Sequence, residues 1–200
     1  MGCEKALLPY DGKSFLSAIA GQLSRVSDDL VVVVGAKDPA EFGHLLGEGI
    51  GVFRDDDFLS NPLGGVITGL KHVTHQYAAI VGCDTPLLKA EVIEYLFEAK
   101  GDHVAAVPVW EEDEMGTMEP LCGVYEVAEA KKAAERALSG RGSLKQMVAL
   151  MGDVQYVDVS QLRMIDESLE SLIDVNTRQD YEALGARSRA SSSPGRKGGR

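Results

Sequence analysis

Short runs of apolar, mostly β-branched residues alternate with amphipathic stretches along most of this chain. Residues Leu30–Gly35 read LVVVVG and residues Tyr77–Gly82 read YAAIVG, so both runs are apolar throughout. Strands of this kind are covered on both faces, as in the parallel sheets of α/β proteins. The pattern therefore predicts an α/β fold in which helices pack on both sides of a mostly parallel sheet.

Five strands and six helices are predicted from this periodicity. The strands are expected at Leu30–Gly35, Gly51–Arg54, Tyr77–Gly82, His103–Val109 and Leu121–Tyr125. The helices are expected at Ser14–Val26, Pro39–Leu46, Pro62–His72, Lys89–Ala99, Val127–Leu138 and Ser143–Met151.

Charge is distributed unevenly along the chain. The net charge is −11, yet the last fourteen residues contain five basic residues and no acidic ones. An acidic body repels nucleic acid, so no nucleic-acid partner is expected. The tail is rich in Ser, Gly, Arg and Lys and offers little apolar surface to bury. We therefore expect one domain over residues 1–184 and a disordered basic tail over residues 185–200.

The composition excludes several classes of protein. No stretch approaches the ~20 apolar residues that a membrane span needs, and no secretory pattern opens the chain. The three cysteines, Cys3, Cys83 and Cys122, are far apart and form no CxxC pair. Neither a disulfide framework nor a structural zinc site is therefore expected. A cytoplasmic protein with reduced thiols is expected instead.

The most informative motif is Val81-Gly82-Cys83-Asp84-Thr85-Pro86. An apolar strand ends here and presents Asp84 at its carboxyl edge, where open α/β sheets bind ligands. A carboxylate in this place suits Mg²⁺, which prefers one or two carboxylates together with substrate phosphates and water. The alternative is that Asp84 caps the helix that begins near Lys89, but this leaves the apolar run unexplained.

Gly64 and Gly65 stand at the start of a predicted helix, where glycine permits close approach of a ligand and the helix N-terminus favours anions. Asp55 opens a run of three acidic residues just upstream, of which at most one is expected to be functional.

Two further segments carry candidate residues. Asp174 and Asn176, in Asp174-Val175-Asn176-Thr177, can ligate a metal or cap the following helix, and without context the cap is favoured. Lys5 precedes an apolar run, and a lysine near phosphates supplies a compact positive charge. A single lysine near an N-terminus is otherwise ordinarily a surface residue.

Taken together and in this order, these motifs resemble the molybdenum cofactor guanylyltransferases of the nucleotidyltransferase superfamily. The resemblance covers nearly the whole chain up to Leu184. The matching segments are Met1–Leu8, Asp55, Pro62–Gly65, Gly82–Pro86 and Asp174–Thr177. It implies a Rossmann-like, three-layer αβα sandwich of the nucleotide-diphospho-sugar transferase type.

The resemblance also implies an activity. The enzyme would transfer GMP from GTP to the terminal phosphate of molybdenum-molybdopterin with the help of Mg²⁺, releasing pyrophosphate and forming molybdopterin guanine dinucleotide. Its partners would be GTP, the molybdopterin cofactor, and molybdenum or tungsten apo-enzymes with their chaperones. By position, Asp84 matches the family's metal ligand and Lys5 its catalytic lysine near the triphosphate. The resemblance implies a nucleotide pocket that includes Lys5, Asp55, Gly64, Gly65 and Asp84. It implies a substrate side that includes Arg141, Asp174 and Asn176.

One part of the family pattern does not match. The family reads Leu-Ala-Gly-Gly-x-Ser-x-Arg-Met-Gly, and only the final Met1-Gly2 is present here. The first strand and the glycine-rich phosphate loop are therefore expected to be missing, with the natural start lying upstream. Removing a strand from the interior of a sheet is predicted to leave unpaired inner edges.

Other functions fit the same motifs. Within the fold, the alternatives are a molybdopterin cytidylyltransferase, a phospholactate guanylyltransferase and a sugar-phosphate nucleotidyltransferase. A truncated, non-catalytic module that binds the cofactor is the alternative from another class. A dehydrogenase is disfavoured because no GxGxxG follows a strand.

Overall fold

The structure, a computed structural model, describes residues 5–55, 62–110 and 117–191. Its strands are β1 (Pro9–Tyr10), β2 (Lys13–Ser14), β3 (Val31–Val34), β4 (Gly51–Arg54), β5 (Tyr77–Val81), β6 (Ala105–Trp110), β7 (Thr117–Met118), β8 (Cys122–Glu126) and β9 (Val154–Asp158). Its α-helices are α1 (Phe15–Leu23), α2 (Ala40–Gly43), α3 (Pro62–His72), α4 (Ala90–Lys100), α5 (Val127–Ser139), α6 (Leu144–Met151), α7 (Val159–Leu162) and α8 (Arg178–Ser191). Short 3₁₀ helices cover Lys5–Leu7 and Glu170–Leu172.

The predicted strands and helices are present, and most of their ends differ by only a few residues. Four consecutive valines form β3, since β-branched side chains favour extended backbone. Ser143 caps α6 as expected, because its side chain accepts a hydrogen bond from the backbone N–H of Gln146. The small β1–β2 hairpin and the strand β9 were not predicted.

The larger strands form two sheets. In one, β3 pairs with β4 in parallel. In the other, the order is β5-β8-β6-β7, and β9 pairs with β6 in parallel. Strands β5, β6 and β9 run in one direction, while β7 and β8 run opposite to them. Between β6 and β8, the described residues contain the strand β7 and no helix, and an antiparallel return needs no helical crossover.

Helices cover both faces of the five-stranded sheet and give the predicted three-layer αβα sandwich. On one face, α3, α5 and α6 pack on the sheet through an apolar cluster that includes Leu63, Ile67, Ala134, Met147 and Val107. On the other face, α1 and α4 pack through a second cluster that includes Ile19, Ile93, Leu96, Val124 and Val157.

The C-terminal helix α8 runs from Arg178 to Ser191, so it continues past Leu184, where we expected the domain to end. Residues 192–200 of the expected tail lie outside the described residues, and the tail's disorder stays a prediction. Within the described part of the chain, no helix is long and apolar enough to cross a membrane.

Candidate active site

A candidate active site lies where β5 ends. Asp84 follows β5 in a turn that is held by a hydrogen bond from Thr85 Oγ1 to the carbonyl of Gly82 (3.2 Å). The carbonyl of Asp84 accepts the N–H of Val175 at 2.8 Å. This backbone contact ties the end of β5 to the segment around Val175, so that side chains from two distant parts of the chain meet.

Lys5 joins these two parts. Its Nζ lies 3.4 Å from Asp84 Oδ2 and donates to Asn176 Oδ1 at 2.5 Å. The Lys5 side chain is 28% exposed and that of Asp84 is 25% exposed, so the group is sheltered yet open to a ligand. Three of the residues singled out from the sequence are therefore within contact distance, although they stand 79 and 171 positions apart.

Neither Asp84 nor Asp174 caps a helix. The N-cap of α4 is Lys89, whose side chain makes no capping hydrogen bond, so the cap interpretation of Asp84 is wrong. At the start of α8, Asp180 accepts the N–H of Thr177 at 2.7 Å, and Thr177 Oγ1 accepts the N–H of Asp180 at 3.1 Å. This reciprocal pair is a capping box, so the cap interpretation of Asp174 and Asn176 is also wrong.

Gly82 is the residue that makes room for the Asp84 carboxylate. A Cβ at position 82 would lie 2.6 Å from Asp84 Oδ1 and 3.6 Å from Leu121 Cβ. Real side-chain contacts are longer than the first of these distances, so the carboxylate would have to move.

We expect Gly82→Ala to lower the kcat/KM of the protein by about tenfold. The added Cβ would displace the Asp84 carboxylate, which would then lose its pre-organised contacts with substrate. The comparison variant is Gly21→Ala, since nothing lies near a Cβ at that position in α1. Steady-state kinetics and thermal melts of both variants check this expectation. Unchanged kinetics in Gly82→Ala would show that the position of the carboxylate does not matter.

Two more acidic side chains, Asp174 and Glu119, interact electrostatically with Asp84. Partial burial raises the pKa of Asp174, and the charge of Asp84 raises this pKa further, whereas the charge of Lys5 opposes the shift. Burial likewise raises the pKa of Glu119, and the hydrogen bond from Trp110 Nε1 (2.7 Å) opposes that rise. Both shifts favour the neutral carboxyl, mainly because burial penalises the charged form and to a smaller extent because other carboxylates act on it.

Glu119 and Lys145 were missed by the sequence analysis. Glu119 precedes Pro120 at the start of the segment leading into β8, and the Lys145 ammonium is close enough to lower the pKa of Glu119. The charges of Asp84 and Asp174 both act on Glu119. No short motif marks either residue, because their proximity arises only when β7 and α6 are folded onto the same edge of the sheet.

Three residues assigned to the nucleotide pocket, in addition to Lys5 and Asp84, lie near the sheet of β3 and β4. Asp55 follows β4, is buried, and accepts a hydrogen bond from Thr68 Oγ1 on α3 at 3.2 Å. Gly64 and Gly65 lie in the first turn of α3, where a Cβ at Gly65 would reach 3.9 Å from Val33 of β3. Their role in binding a nucleotide stays a prediction, and Asp56 and Asp57 lie outside the described residues.

Arg141 lies in the connection between α5 and α6 with a positive φ of 54°. Its backbone N–H donates to the carbonyl of Leu138 at 3.0 Å, whereas its exposed side chain forms no hydrogen bond or ion pair within the described ranges. The structure therefore does not bring Arg141 into contact with Lys5, Asp84 or Asn176, and its role on the substrate side stays a prediction.

A comparison with protein-family models matches residues 1–158 to the MobA-like NTP transferase domain. The chain belongs to this family. The chain is similar to a probable molybdenum cofactor guanylyltransferase of Methanosarcina acetivorans, with 34% identity over 192 residues that cover 90% of this chain and 82% of that protein. A molybdenum cofactor guanylyltransferase of Desulfosudis oleivorans is 32% identical over 183 residues, with coverage of 90% and 85%.

Solved structures show the same fold. Molybdopterin-guanine dinucleotide biosynthesis protein A of Archaeoglobus fulgidus superposes with a TM-score of 0.72 at 21% identity, over 94% of this chain and 92% of that one. A 2-C-methyl-D-erythritol 4-phosphate cytidylyltransferase of Thermus thermophilus superposes with a TM-score of 0.67 at 17% identity, over 92% and 93%. The MobA-like chain is therefore a nucleotidyltransferase of the nucleotide-diphospho-sugar transferase fold, as predicted.

The site suits the chemistry of a MobA-like nucleotidyltransferase. Transfer of a nucleotidyl group depends on positioning and on neutralising phosphate charge more than on covalent chemistry by the protein. Lys5 supplies a positive charge at the edge of the site, and Asp84 presents a carboxylate beside it at 3.4 Å. Side chains held in this way can orient phosphates without acting as nucleophiles.

Proposed function

We propose that this MobA-like protein transfers GMP from GTP to the terminal phosphate of molybdenum-molybdopterin, which releases pyrophosphate and forms molybdopterin guanine dinucleotide. The observation that carries the proposal is the contact of Lys5 with both Asp84 and Asn176 at the carboxyl end of β5. The names of the relatives at 34% and 32% identity supply the base and the acceptor.

In this reaction, an oxygen of the acceptor phosphate attacks the α-phosphorus of GTP, and the bond to the bridging oxygen of pyrophosphate breaks. The Lys5 ammonium stabilises negative charge that builds up on the phosphates during this exchange. Asn176 holds the ammonium in place by accepting one of its hydrogen bonds at 2.5 Å. In the substrate complex, the Lys5 ammonium, which has three N–H donors, would donate to a phosphate oxygen.

The residues present fit a magnesium ion that is bound together with the substrate. Within the described ranges, no group of three or more His, Cys, Asp and Glu side chains is arranged to hold a metal ion by itself. Magnesium does not need such a cage, because it uses one or two carboxylates plus phosphates and water. Asp84 would hold it, and Asp174, whose pKa is raised in part by the charge of Asp84, is a candidate for a second carboxylate. The ion would polarise the phosphates and offset their charge.

Electrostatics support a divalent cation. Three acids, Asp84, Asp174 and Glu119, act on one another in the site, whereas the cations acting there are Lys5 and Lys145. The chain as a whole carries a net charge of −11. A triphosphate that enters such a site is repelled unless an added cation balances the carboxylates.

Calorimetric titration with GTP, CTP, ATP and UTP, each with and without Mg²⁺, tests the proposal. We expect GTP to bind at least about tenfold more tightly than the other three, equivalent to 1.4 kcal/mol, and only with Mg²⁺ present. Pyrophosphate release on adding molybdopterin would then identify the acceptor. Tighter binding of CTP would indicate that the protein transfers CMP rather than GMP. GTP binding without pyrophosphate release would exclude molybdopterin as the acceptor. Binding of none of the four would favour a non-catalytic module.

A further inference from the structure

A buried carboxylate, that of Asp166, lies outside the group of side chains that meets at Lys5. Its side chain is only 1% exposed. One oxygen accepts a hydrogen bond from Lys89 Nζ at 2.7 Å, and the other accepts the backbone N–H of Ser171 at 2.7 Å. Burial opposes ionisation of this carboxyl, but the hydrogen bonds from Lys89 and Ser171 outweigh it and lower the pKa of Asp166. Asp166 is therefore a charged group inside the protein.

The backbone of Lys89 closes this ion pair into a ring. The N–H of Lys89 donates to Ser171 Oγ at 3.0 Å, so Lys89 contacts the same segment with its side chain and with its backbone. We refer to Lys89, Asp166 and Ser171 as the Asp166 cluster. Replacing a buried ion pair with apolar residues often leaves stability unchanged, so stability alone does not account for the cluster.

The Asp166 cluster joins two segments of the chain that are also joined beside the site. At the site, the N–H of Val175 donates to the carbonyl of Asp84 at 2.8 Å. In the cluster, Lys89 donates to Ser171. Residue numbers rise from 84 to 89 along one segment and fall from 175 to 171 along the other, so the two segments pass each other in opposite directions. One attachment would let the second segment turn about it, whereas two attachments fix its direction as well as its distance.

The backbone of the second segment is strained at Leu169. This residue has a φ of 50° and a ψ of 38°, in the left-handed region that is unfavourable for residues with a Cβ. Its side chain is buried in the apolar cluster that contains Leu88 and Leu172. Asp166 holds the same turn, since its carbonyl accepts the N–H of Leu169 at 2.8 Å and its carboxylate accepts that of Ser171. Strain of this kind persists only where the surroundings hold it in place, and it is concentrated at functional sites.

The segment that the Asp166 cluster holds carries two side chains of the site. They are Asp174 and Asn176, and Asn176 Oδ1 accepts the hydrogen bond from Lys5. Besides burial, the charge of Asp84 raises the pKa of Asp174, which shows that the two carboxylates repel each other. With a single attachment, this repulsion would move Asp174 away from the end of β5. The cluster opposes that movement.

We propose that Asp166 is a positioning residue for nucleotidyl transfer and that, through its cluster, it holds Asp174 and Asn176 against the end of β5. Asp166 acts through Asn176, which holds the Lys5 ammonium, and through Asp174, the candidate second carboxylate for magnesium. This inference rests on the proposed function, because it gives Asp166 a part in the same reaction.

Amide hydrogen exchange tests whether the cluster holds the segment. Lys89→Met removes the ammonium, whereas Ser171→Ala removes only a hydroxyl and so remains informative if the first variant does not fold. We expect the N–H of Val175 to exchange at least about tenfold faster in both variants, because the segment opens more often when one attachment is lost. The amides of β8, which lies between β5 and β6, should keep their exchange rates. The matched control is Lys132→Met, which removes an ion pair of the same length, 2.7 Å, with Glu129 on α5.

Steady-state kinetics of pyrophosphate release test the link to the reaction. With GTP, Mg²⁺ and molybdopterin, we expect Ser171→Ala to lower kcat about tenfold and to leave the KM for GTP within about twofold. The reason is that Asn176 and Lys5 act on charge that grows in the transition state. Lys89→Arg keeps the charge and the N–H donors, so it should recover most of the kcat that Lys89→Met loses. A loss of stability alone would not divide the effect between kcat and KM in this way.

Three other outcomes are decisive. Equal acceleration of all amides, or unchanged exchange at Val175, would overturn the proposal, because the cluster would not hold the segment in particular. Faster exchange at Val175 with an unchanged kcat would overturn it as well, since the position of the segment would not matter to the reaction. If the unaltered protein releases no pyrophosphate with these substrates, the proposed function fails, whereas the exchange at Val175 still confirms or overturns the positioning of the segment.

Discussion

Replacing Asp84 with asparagine is expected to lower kcat/KM for nucleotidyl transfer by about 10³-fold. The reason is that the site loses the carboxylate that would hold the cation bound to the substrate phosphates. Asparagine has the same shape and can still accept the hydrogen bond from Lys5 (3.4 Å). The backbone contact from Val175 to the carbonyl of residue 84 does not involve the side chain. The free energy of unfolding should therefore change little, while turnover falls.

Steady-state kinetics over a range of Mg²⁺ concentrations, combined with thermal melts, check this expectation. The matched control is Asp28→Asn, because the Asp28 side chain is 93% exposed and its ion-pair partner is His75. This control should keep full activity. Asp84→Glu retains the charge but displaces it, so we expect an intermediate loss. If Asp84→Asn keeps more than about a tenth of the activity, Asp84 does not have the role assigned to it.

Of the residues that meet at the end of β5, only Asp84 stands next to a strong local sequence pattern. Asp84 follows an uninterrupted apolar run, and the run forms β5 as predicted. Lys5 and the segment Asp174–Thr177 were assigned through the family resemblance, and the structure brings Lys5 to 2.5 Å from Asn176. Local patterns place residues at the ends of elements, and the common edge of an α/β sheet then brings these ends together.

Other features required the folded chain. Glu119 enters the site because β7 and β8 both pair antiparallel with β6, an arrangement that strand–helix alternation does not predict. Strand β9 is short and partly exposed, so its hydrophobic pattern does not stand out in the sequence. Its partner, β6, lies far away along the chain. Capping by Thr177 and Asp180 was not distinguished from capping by Asp174, because all of these side chains suit a helix start.

Within the described residues, β3 pairs only with β4 and β5 only with β8, so no strand pairing joins the two sheets there. Asp55, Gly64 and Gly65 lie near β3 and β4, whereas Asp84 follows β5 and Lys5 contacts it. Sequence patterns place residues at the ends of elements, but they do not fix the distance between these two groups of residues.

Replacing Lys5 with methionine is expected to lower kcat/KM by about 10²-fold, mainly through kcat, because the ammonium stabilises charge that grows as the phosphate bond breaks. The methionine side chain keeps most of the length but none of the charge. The free energy of unfolding should change by less than about 1 kcal/mol, since the Lys5–Asp84 pair is partly exposed and water can replace the ammonium.

Lys13→Met is the matched control, because Lys13 lies in β2 on the surface and its loss alters the net charge equally. Lys5→Arg tests geometry, since a planar guanidinium keeps the charge but not the compact shape that contacts Asp84 and Asn176 together. We expect Lys5→Arg to recover only part of the lost kcat. Equal activity of Lys5→Met and Lys13→Met would show that Lys5 acts only as a surface charge, and a change confined to KM would restrict Lys5 to binding the ground state.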